Sequence, residues 1–213
     1  MIGQLIDLLG EITTAIFQAL GYPGLFLVLV IENVFPPIPS EIVLPLGGAL
    51  AAQGHFVLPA VIVVSGLGAT AGALILYWFG SWARDHGGRS LVLRVGRYAF
   101  LSDEDLAKAE AWFDRYQAIA VFTGRFVPIV RSIVSIPAGY NRMPLLQFIP
   151  LTLIGATAWC AALATAGWVL GDNWEVIRPL LSRYEQLVLA AGVLAVVAFV
   201  VWKVRQKATF SRS

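Results

Sequence analysis

The stretch ENVFPPIPSE, residues 32–41, breaks an apolar part of the chain with three prolines and carries a carboxylate at each end. The apolar segments on either side, 24–31 and 42–52, are each shorter than the roughly 20 residues that a membrane-spanning helix needs. Two short apolar arms around a proline-rich break predict a re-entrant loop over 24–52, which enters and leaves the membrane on one side. A single broken spanning helix is the alternative.

The composition predicts an integral membrane protein. Of the 213 residues, 58% are hydrophobic and 13% are charged, and the mean hydropathy is +0.77, well outside the range of soluble globular domains. The length predicts a single domain over 1–213. Cys160 lies in an apolar run and is expected to pack, and His55 and His86 have no second ligand at metal spacing. We therefore expect no metal site, no cofactor and no nucleic-acid partner.

The hydropathy and charge patterns divide the rest of the chain into helices. Polar residues recur every three or four positions near the amino terminus, which is typical of a helix lying flat in the membrane interface. Basic residues cluster after the first long apolar run and in the carboxyl-terminal tail, and both clusters are therefore assigned to the cytoplasm. The predicted segments are an interfacial helix at 1–22, transmembrane helices at 56–83, 143–171 and 186–202, a cytoplasmic loop with an amphipathic helix at 84–117, and a cytoplasmic tail at 203–213.

A second broken apolar segment, 118–141, resembles the first. A shift of 91 residues aligns FPPIPSEIVLPLGG (35–48) with FVPIVRSIVSIPAG (126–139). One predicted membrane crossing separates the two copies, so they are predicted to face opposite ways and to form an inverted repeat of two opposed re-entrant loops, an architecture found in many transporters. The identical pairs are Phe35/Phe126, Pro37/Pro128, Ile38/Ile129, Ile42/Ile133, Val43/Val134 and Gly48/Gly139.

Four charged residues fall within the two broken segments: Glu32, Glu41, Arg125 and Arg131. Each charge at the bilayer centre costs at least about 2.5–3.5 kcal/mol unless it is paired or meets water. One interpretation is that these residues only form ion pairs that hold the loops together. The functional interpretation is that the arginines bind phosphate, for which their fork of donors is suited, and that the glutamates carry protons.

Other residues of the two segments are expected to support these charges. Polar side chains can hydrogen-bond a headgroup or the backbone freed by each break, and proline and glycine residues make the breaks. Tryptophans near segment ends, Trp159 among them, are expected only to anchor the protein at the membrane interface. The supporting positions are Asn33, Pro37, Pro39, Ser40, Pro128, Ser132, Ser135, Pro137 and Gly139.

The chain resembles the DedA family of bacterial membrane proteins, which carry the VTT domain. The resemblance rests on ENVFPPIPSE followed by LPLGGALAAQG, on GLGATAGALILYWFG, on GRFVPIVRSIVSIPAG and on GYNRMPLLQF. It implies two opposed re-entrant loops in a bacterial plasma membrane and movement of lipid-linked phosphate, particularly the recycling of undecaprenyl phosphate. It also implies that Glu32, Glu41, Arg125 and Arg131 are needed for activity.

Several functions remain open from the sequence. The first is a proton-coupled carrier of undecaprenyl phosphate or another anionic lipid, and a less selective phospholipid scramblase is a variant of it. The second is a proton-coupled ion or small-solute antiporter, in which the arginines act only as counter-charges. A lipid phosphatase is disfavoured, because neither His55 nor His86 lies in either motif. Small-residue helix faces permit a homodimer.

Overall fold

The computed structural model describes residues 2–35, 40–88, 103–128 and 130–171, and these ranges contain helices and no strand. The all-α fold class is thus confirmed. The predicted span at 186–202 and the tail at 203–213 lie outside the described residues. The helices are α1 (Ile2–Val34), α2 (Ser40–Ala52), α3 (Leu58–Asp85), α4 (Asp103–Gly124), α5 (Val130–Ile133), α6 (Ser135–Tyr140) and α7 (Leu145–Leu170).

Two of the helices, α3 and α7, are long and apolar enough to cross a membrane. They contain 28 and 26 residues with hydropathies of 2.0 and 1.6, and they fall on the predicted spans 56–83 and 143–171. At 1.5 Å per residue they measure roughly 42 and 39 Å, against a hydrocarbon core of about 30 Å. The total number of spans and the re-entrant course of the two broken segments stay predictions.

The first helix, α1, changes direction at Gly21. The backbone there has φ 59° and ψ −135°, a conformation that glycine adopts without steric cost, and helix continues on both sides of it. The change of direction falls where the polar periodicity of the amino terminus ends. The location of 1–22 at the membrane interface stays a prediction.

The helices pack into two apolar clusters, with α3 and α7 contributing to both. The first cluster joins α1, α2, α3 and α7 and includes Leu29, Leu44, Val61 and Leu163. The second joins α3, α4 and α6 to the start of α7. The short helices that follow the breaks are thus held against the two long helices.

A close contact between α2 and α7 depends on two glycines. A Cβ atom added at Gly48 would lie 1.9 Å from the carbonyl oxygen of Ala164, and one added at Gly167 would lie 2.1 Å from that of Pro45. No side chain fits at either position unless the helices separate. Backbone therefore touches backbone where α2 crosses α7.

The same contact recurs between α6 and α3. A Cβ atom at Gly139 would lie 1.8 Å from the carbonyl oxygen of Tyr77, and one at Gly80 would lie 2.1 Å from that of Ile136. The two contacts use equivalent positions. Adding 91 to the contacting positions of α2 gives those of α6, and adding 87 to the contacting positions of α3 gives those of α7. Each short helix thus packs on the long helix of the other half, which supports the internal repeat. The opposite membrane orientation of the halves stays a prediction.

The neighbouring glycines of α2 provide a matched test of this packing. We expect Gly48→Ala to destabilise the protein by about 1–3 kcal/mol, because the added methyl group overlaps the backbone of α7. Gly47→Ala should be neutral or stabilising, because its methyl group would lie 3.4 Å from Val61 and alanine favours helix. The measurement is the midpoint of thermal aggregation of each detergent-solubilised variant. Equal midpoints for Gly48→Ala and the unmodified protein would contradict the contact.

Candidate functional site

The end of α1 and the start of α5 are joined by a buried ion pair between Glu32 and Arg131. The Arg131 Nη2 donates to Glu32 Oε1, although the two residues are 99 positions apart. The Oε1 atom of Glu41, in the first turn of α2, lies 3.9 Å from the same nitrogen. All three side chains are buried. Three of the four charges predicted from the sequence therefore meet at one place.

The proline-rich break explains how the two glutamates reach the same arginine. Proline lacks the amide donor that a helix interior needs, and it disfavours helical backbone in the residue before it. Accordingly α1 ends at Val34, and a new helix begins at Ser40. Glu32 therefore lies in the last turn of one helix, while Glu41 lies in the first turn of the next, where a negative charge is favoured by the helix dipole.

Arg125, the fourth predicted charge, is placed apart from the glutamates. It follows the last residue of α4, and its side chain is buried, with 1% of the residue exposed. Its Nη1 donates to the carbonyl oxygen of Arg131, and its Nη2 donates to Ser135 Oγ and Thr152 Oγ1, each at 3.0 Å. Within the described ranges no carboxylate lies within 4.0 Å of it. Its guanidinium thus holds the backbone of the second broken segment.

The surroundings of Arg125 are built around its side chain. The ring of Phe148 lies 5.7 Å from the guanidinium carbon, at a distance typical of a cation–π contact. A Cβ atom at Gly155 would lie 2.9 Å from Arg125 Cγ, so only glycine lets α7 approach so closely. The site therefore depends on α7 as well as on the two motifs.

Several polar atoms in this part of the protein are buried but make no hydrogen bond to any residue that the structure describes. Buried polar groups are nearly always paired, so each such atom marks a place where a proton, a water molecule or a ligand can bind. Asn33 uses its Nδ2 atom to donate to the carbonyl oxygen of Ala69 at 3.0 Å, but its Oδ1 atom accepts no hydrogen bond from the residues that the structure describes. Five of these unpaired atoms belong to residues of the ion-pair cluster, to the residue after Glu32, or to residues that contact Arg131: Glu32 Oε2, Asn33 Oδ1, Glu41 Oε1, Arg125 Nε and Trp159 Nε1.

The supporting positions predicted from the sequence have varied surroundings. Ser132 is buried beside Arg131, and Ser135 accepts from Arg125. Pro128 lies in the turn after α4, while Pro137 and Gly139 lie in α6. Ser40 begins α2, and Pro37 and Pro39 lie outside the described residues.

Two site residues were missed by the sequence analysis. Thr152 is a buried polar residue on an otherwise apolar helix, a signal that the sequence does contain. The expectation for Trp159 was wrong: this residue lies in the middle of α7, its ring lies 5.8 Å from the guanidinium carbon of Arg131, and its Nε1 atom is buried.

Comparison with known proteins gives the family. The VTT domain matches residues 38–169. An "Alkaline phosphatase-like protein" of Lactococcus lactis subsp. lactis (strain IL1403) is 37% identical over 194 residues, which cover 90% of this chain and 91% of the relative. Two proteins named "Undecaprenyl phosphate transporter A" were also found. The one from Staphylococcus aureus (strain NCTC 8325 / PS 47) is 31% identical over 90% of this chain and 94% of its own length.

The second, from Bacillus subtilis (strain 168), is 33% identical over 97% of this chain and 99% of its own length. No solved structure matches the chain. The match to the VTT domain covers more than half of the chain, and the relatives align over nearly all of it. The chain therefore belongs to the VTT-domain (DedA) family of membrane proteins, which is a family of transporters and not of enzymes.

Proposed function

We propose that this protein moves a lipid-linked phosphate, most specifically undecaprenyl phosphate, between the two leaflets of a bacterial plasma membrane, coupled to protons. The observation that carries the proposal is the buried Arg131 with two carboxylates around it. The names of the staphylococcal and Bacillus relatives support the choice of substrate. The isoprenoid tail can remain in the bilayer while only the headgroup passes the polar cluster.

Arg131 is the proposed phosphate ligand. A guanidinium presents a planar fork of donors that matches phosphate as well as carboxylate. In the described structure Glu32 occupies part of that fork. Phosphate and carboxylate therefore compete for the same donors, and the arginine stays paired whichever of the two it holds.

Proton coupling follows from the charges of the cluster. Two carboxylates share the Arg131 guanidinium, which leaves one negative charge in excess if both are ionised. A proton on Glu32 would cancel that excess and release Arg131 for the phosphate. When the phosphate leaves, Glu32 loses the proton and pairs with Arg131 again. Loading with lipid phosphate is thus linked to uptake of a proton on the same side of the membrane.

Arg125 has a different proposed part. The prediction that it is a second phosphate ligand stays open to test, but its bonds to Arg131, Ser135 and Thr152 support a positioning role. By holding the carbonyl group of Arg131, it fixes the backbone from which the phosphate ligand projects. Its buried charge, surrounded by hydroxyl and carbonyl oxygens, makes the second broken segment rigid.

The ion or solute antiporter uses the same cluster but needs no lipid, and the less selective scramblase would move phospholipids as well. Both are outcomes of the transport experiment below. The histidines give no support to phosphatase chemistry. His55 is exposed in the turn after α2, and His86 stacks on Trp82 at the exposed end of α3.

We expect Arg131→Ala to abolish leaflet-to-leaflet movement of undecaprenyl phosphate, because no other described residue reaches both glutamates. The assay uses liposomes that contain the purified protein, with a fluorescent phospholipid as second substrate and with or without a pH gradient. Arg115→Gln, at an exposed position of α4, is the matched control and should transport normally. Lipid movement at the original rate in Arg131→Ala would remove this residue from the mechanism. Proton-driven cation flux without lipid movement would favour the antiporter.

Glu32→Gln should remove the response of transport to the pH gradient. Glutamine keeps the size of the side chain but exchanges no proton. In the unmodified protein, acid on the side where lipid is loaded should speed transport, because the proton frees Arg131. Glu41→Gln should have the smaller effect, because Glu41 lies 3.9 Å from Arg131 and makes no hydrogen bond to it. An unchanged gradient response in Glu32→Gln would exclude Glu32 as the proton carrier.

Thr152→Val should lower transport about tenfold. Valine has the same shape as threonine but no hydroxyl group, so one donor of the buried Arg125 guanidinium loses its acceptor. Thr152→Ser retains the acceptor and should restore most of the rate. Protein yield and thermal stability are measured for both variants to separate folding from transport. A normal rate in Thr152→Val would show that the hold on Arg125 does not matter to transport.

A further inference from the structure

The indole of Trp159 stands beside the proposed phosphate ligand. Its ring lies 5.8 Å from the guanidinium carbon of Arg131, and its Nε1 atom is buried without a hydrogen-bond partner among the described residues. The ring also packs against the apolar cluster that joins α1, α2, α3 and α7. The cation–π contact with Arg131 favours tryptophan over phenylalanine, but it uses the face of the ring and leaves the buried N–H without an acceptor.

An unpaired indole nitrogen is unusual in such a place. The indole N–H can only donate, and it normally finds an acceptor when it is buried. Unpaired acceptors belong to the two glutamates around Arg131 and to the residue that follows the first of them: Glu32 Oε2, Glu41 Oε1 and Asn33 Oδ1 are also buried and also lack a hydrogen bond to described residues. The donor of Trp159 is bonded to none of them. It is therefore available to an acceptor brought by a ligand.

A phosphate ligand needs donors, and the atoms around Arg131 supply few. The unpaired atoms of Glu32 and Glu41 repel an anion unless they are protonated, and the free oxygen of Asn33 is an acceptor as well. Arg125 also contacts Arg131, but its Nη1 is used on the Arg131 carbonyl oxygen; the Trp159 N–H is a donor beside the Arg131 guanidinium that requires no proton to be taken up. The guanidinium and the indole can thus act on one anion.

We propose that Trp159 is a second headgroup-binding residue, whose indole N–H donates to a phosphate oxygen held by Arg131, and that it makes the site selective for phosphate monoesters. This inference rests on the proposed function. A monoester offers three terminal oxygens, two for the fork of Arg131 and one for the indole. A phosphodiester, such as an ordinary phospholipid headgroup, offers two terminal oxygens and at most one negative charge, so the indole must share an oxygen with the guanidinium and makes a weaker hydrogen bond.

The test compares Trp159→Phe with Trp168→Phe. Phenylalanine keeps an aromatic ring beside Arg131 and removes the N–H. Trp168 lies on the same helix, is 46% exposed and serves as the matched control. The ligands are farnesyl phosphate, a monoester, and its methyl ester, a diester. Their dissociation constants for the full-length protein in detergent are measured by calorimetry, so the result does not depend on transport.

We expect the unmodified protein and Trp168→Phe to bind the monoester more tightly than the diester. Trp159→Phe should weaken monoester binding about tenfold, the loss expected for one hydrogen bond to a charged group, and weaken diester binding clearly less. In liposomes its apparent KM for undecaprenyl phosphate should rise, while the rate at saturating lipid stays the same.

Three results would overturn the inference. They are unchanged monoester binding by Trp159→Phe, an equal weakening of both esters, and absence of monoester binding by the unmodified protein. The proposed function fails separately, if the unmodified protein binds the monoester but moves no undecaprenyl phosphate in liposomes. Normal transport combined with unchanged binding in Trp159→Phe would leave the proposed function standing without a part for the indole.

Discussion

The ion pair between Arg131 and Glu32 connects the two broken segments of the chain, and its formation depends on the helix ends and on the packing of the long helices. A guanidinium among apolar helices is costly unless it is paired and hydrogen-bonded. Its partner comes from the end of α1 and a second carboxylate from the start of α2. Each partner is at a helix end, which the prolines between the two helices create. The helix breaks therefore place the buried charges where they can pair with one another.

The long helices supply the frame in which that pair forms. Backbone contacts at glycines fix α2 on α7 and α6 on α3, and a glycine on α7 makes room for Arg125. Close packing of this kind uses van der Waals contact, which remains effective where no hydrophobic force acts between helices in lipid. A rigid frame allows the unpaired polar atoms around Arg131 to keep their positions. The groups of the proposed binding site are thus held in place by residues that carry no charge.

The sequence predicted the charges, the breaks and the all-helical fold because each has a local signature. Prolines mark where α1 must end, and charges in apolar segments stand out against their neighbours. The different settings of Arg125 and Arg131 could not be predicted in this way. They are only six positions apart in the chain, but the turn at Pro128 sends one guanidinium toward α7 and the other toward α1. Spacing alone does not specify such directions.

Trp159 was misread for a related reason. Tryptophan is common at membrane interfaces, and its place along an apolar run does not show which side of the helix faces the protein. The distance to Arg131 and the burial of Nε1 place its side chain inside the protein, beside the ion pair. Its donor does not depend on protonation, whereas Glu32 changes charge with every proposed cycle. A permanent donor beside the proposed proton carrier allows selection of the headgroup and coupling to protons to be assigned to different side chains of one site.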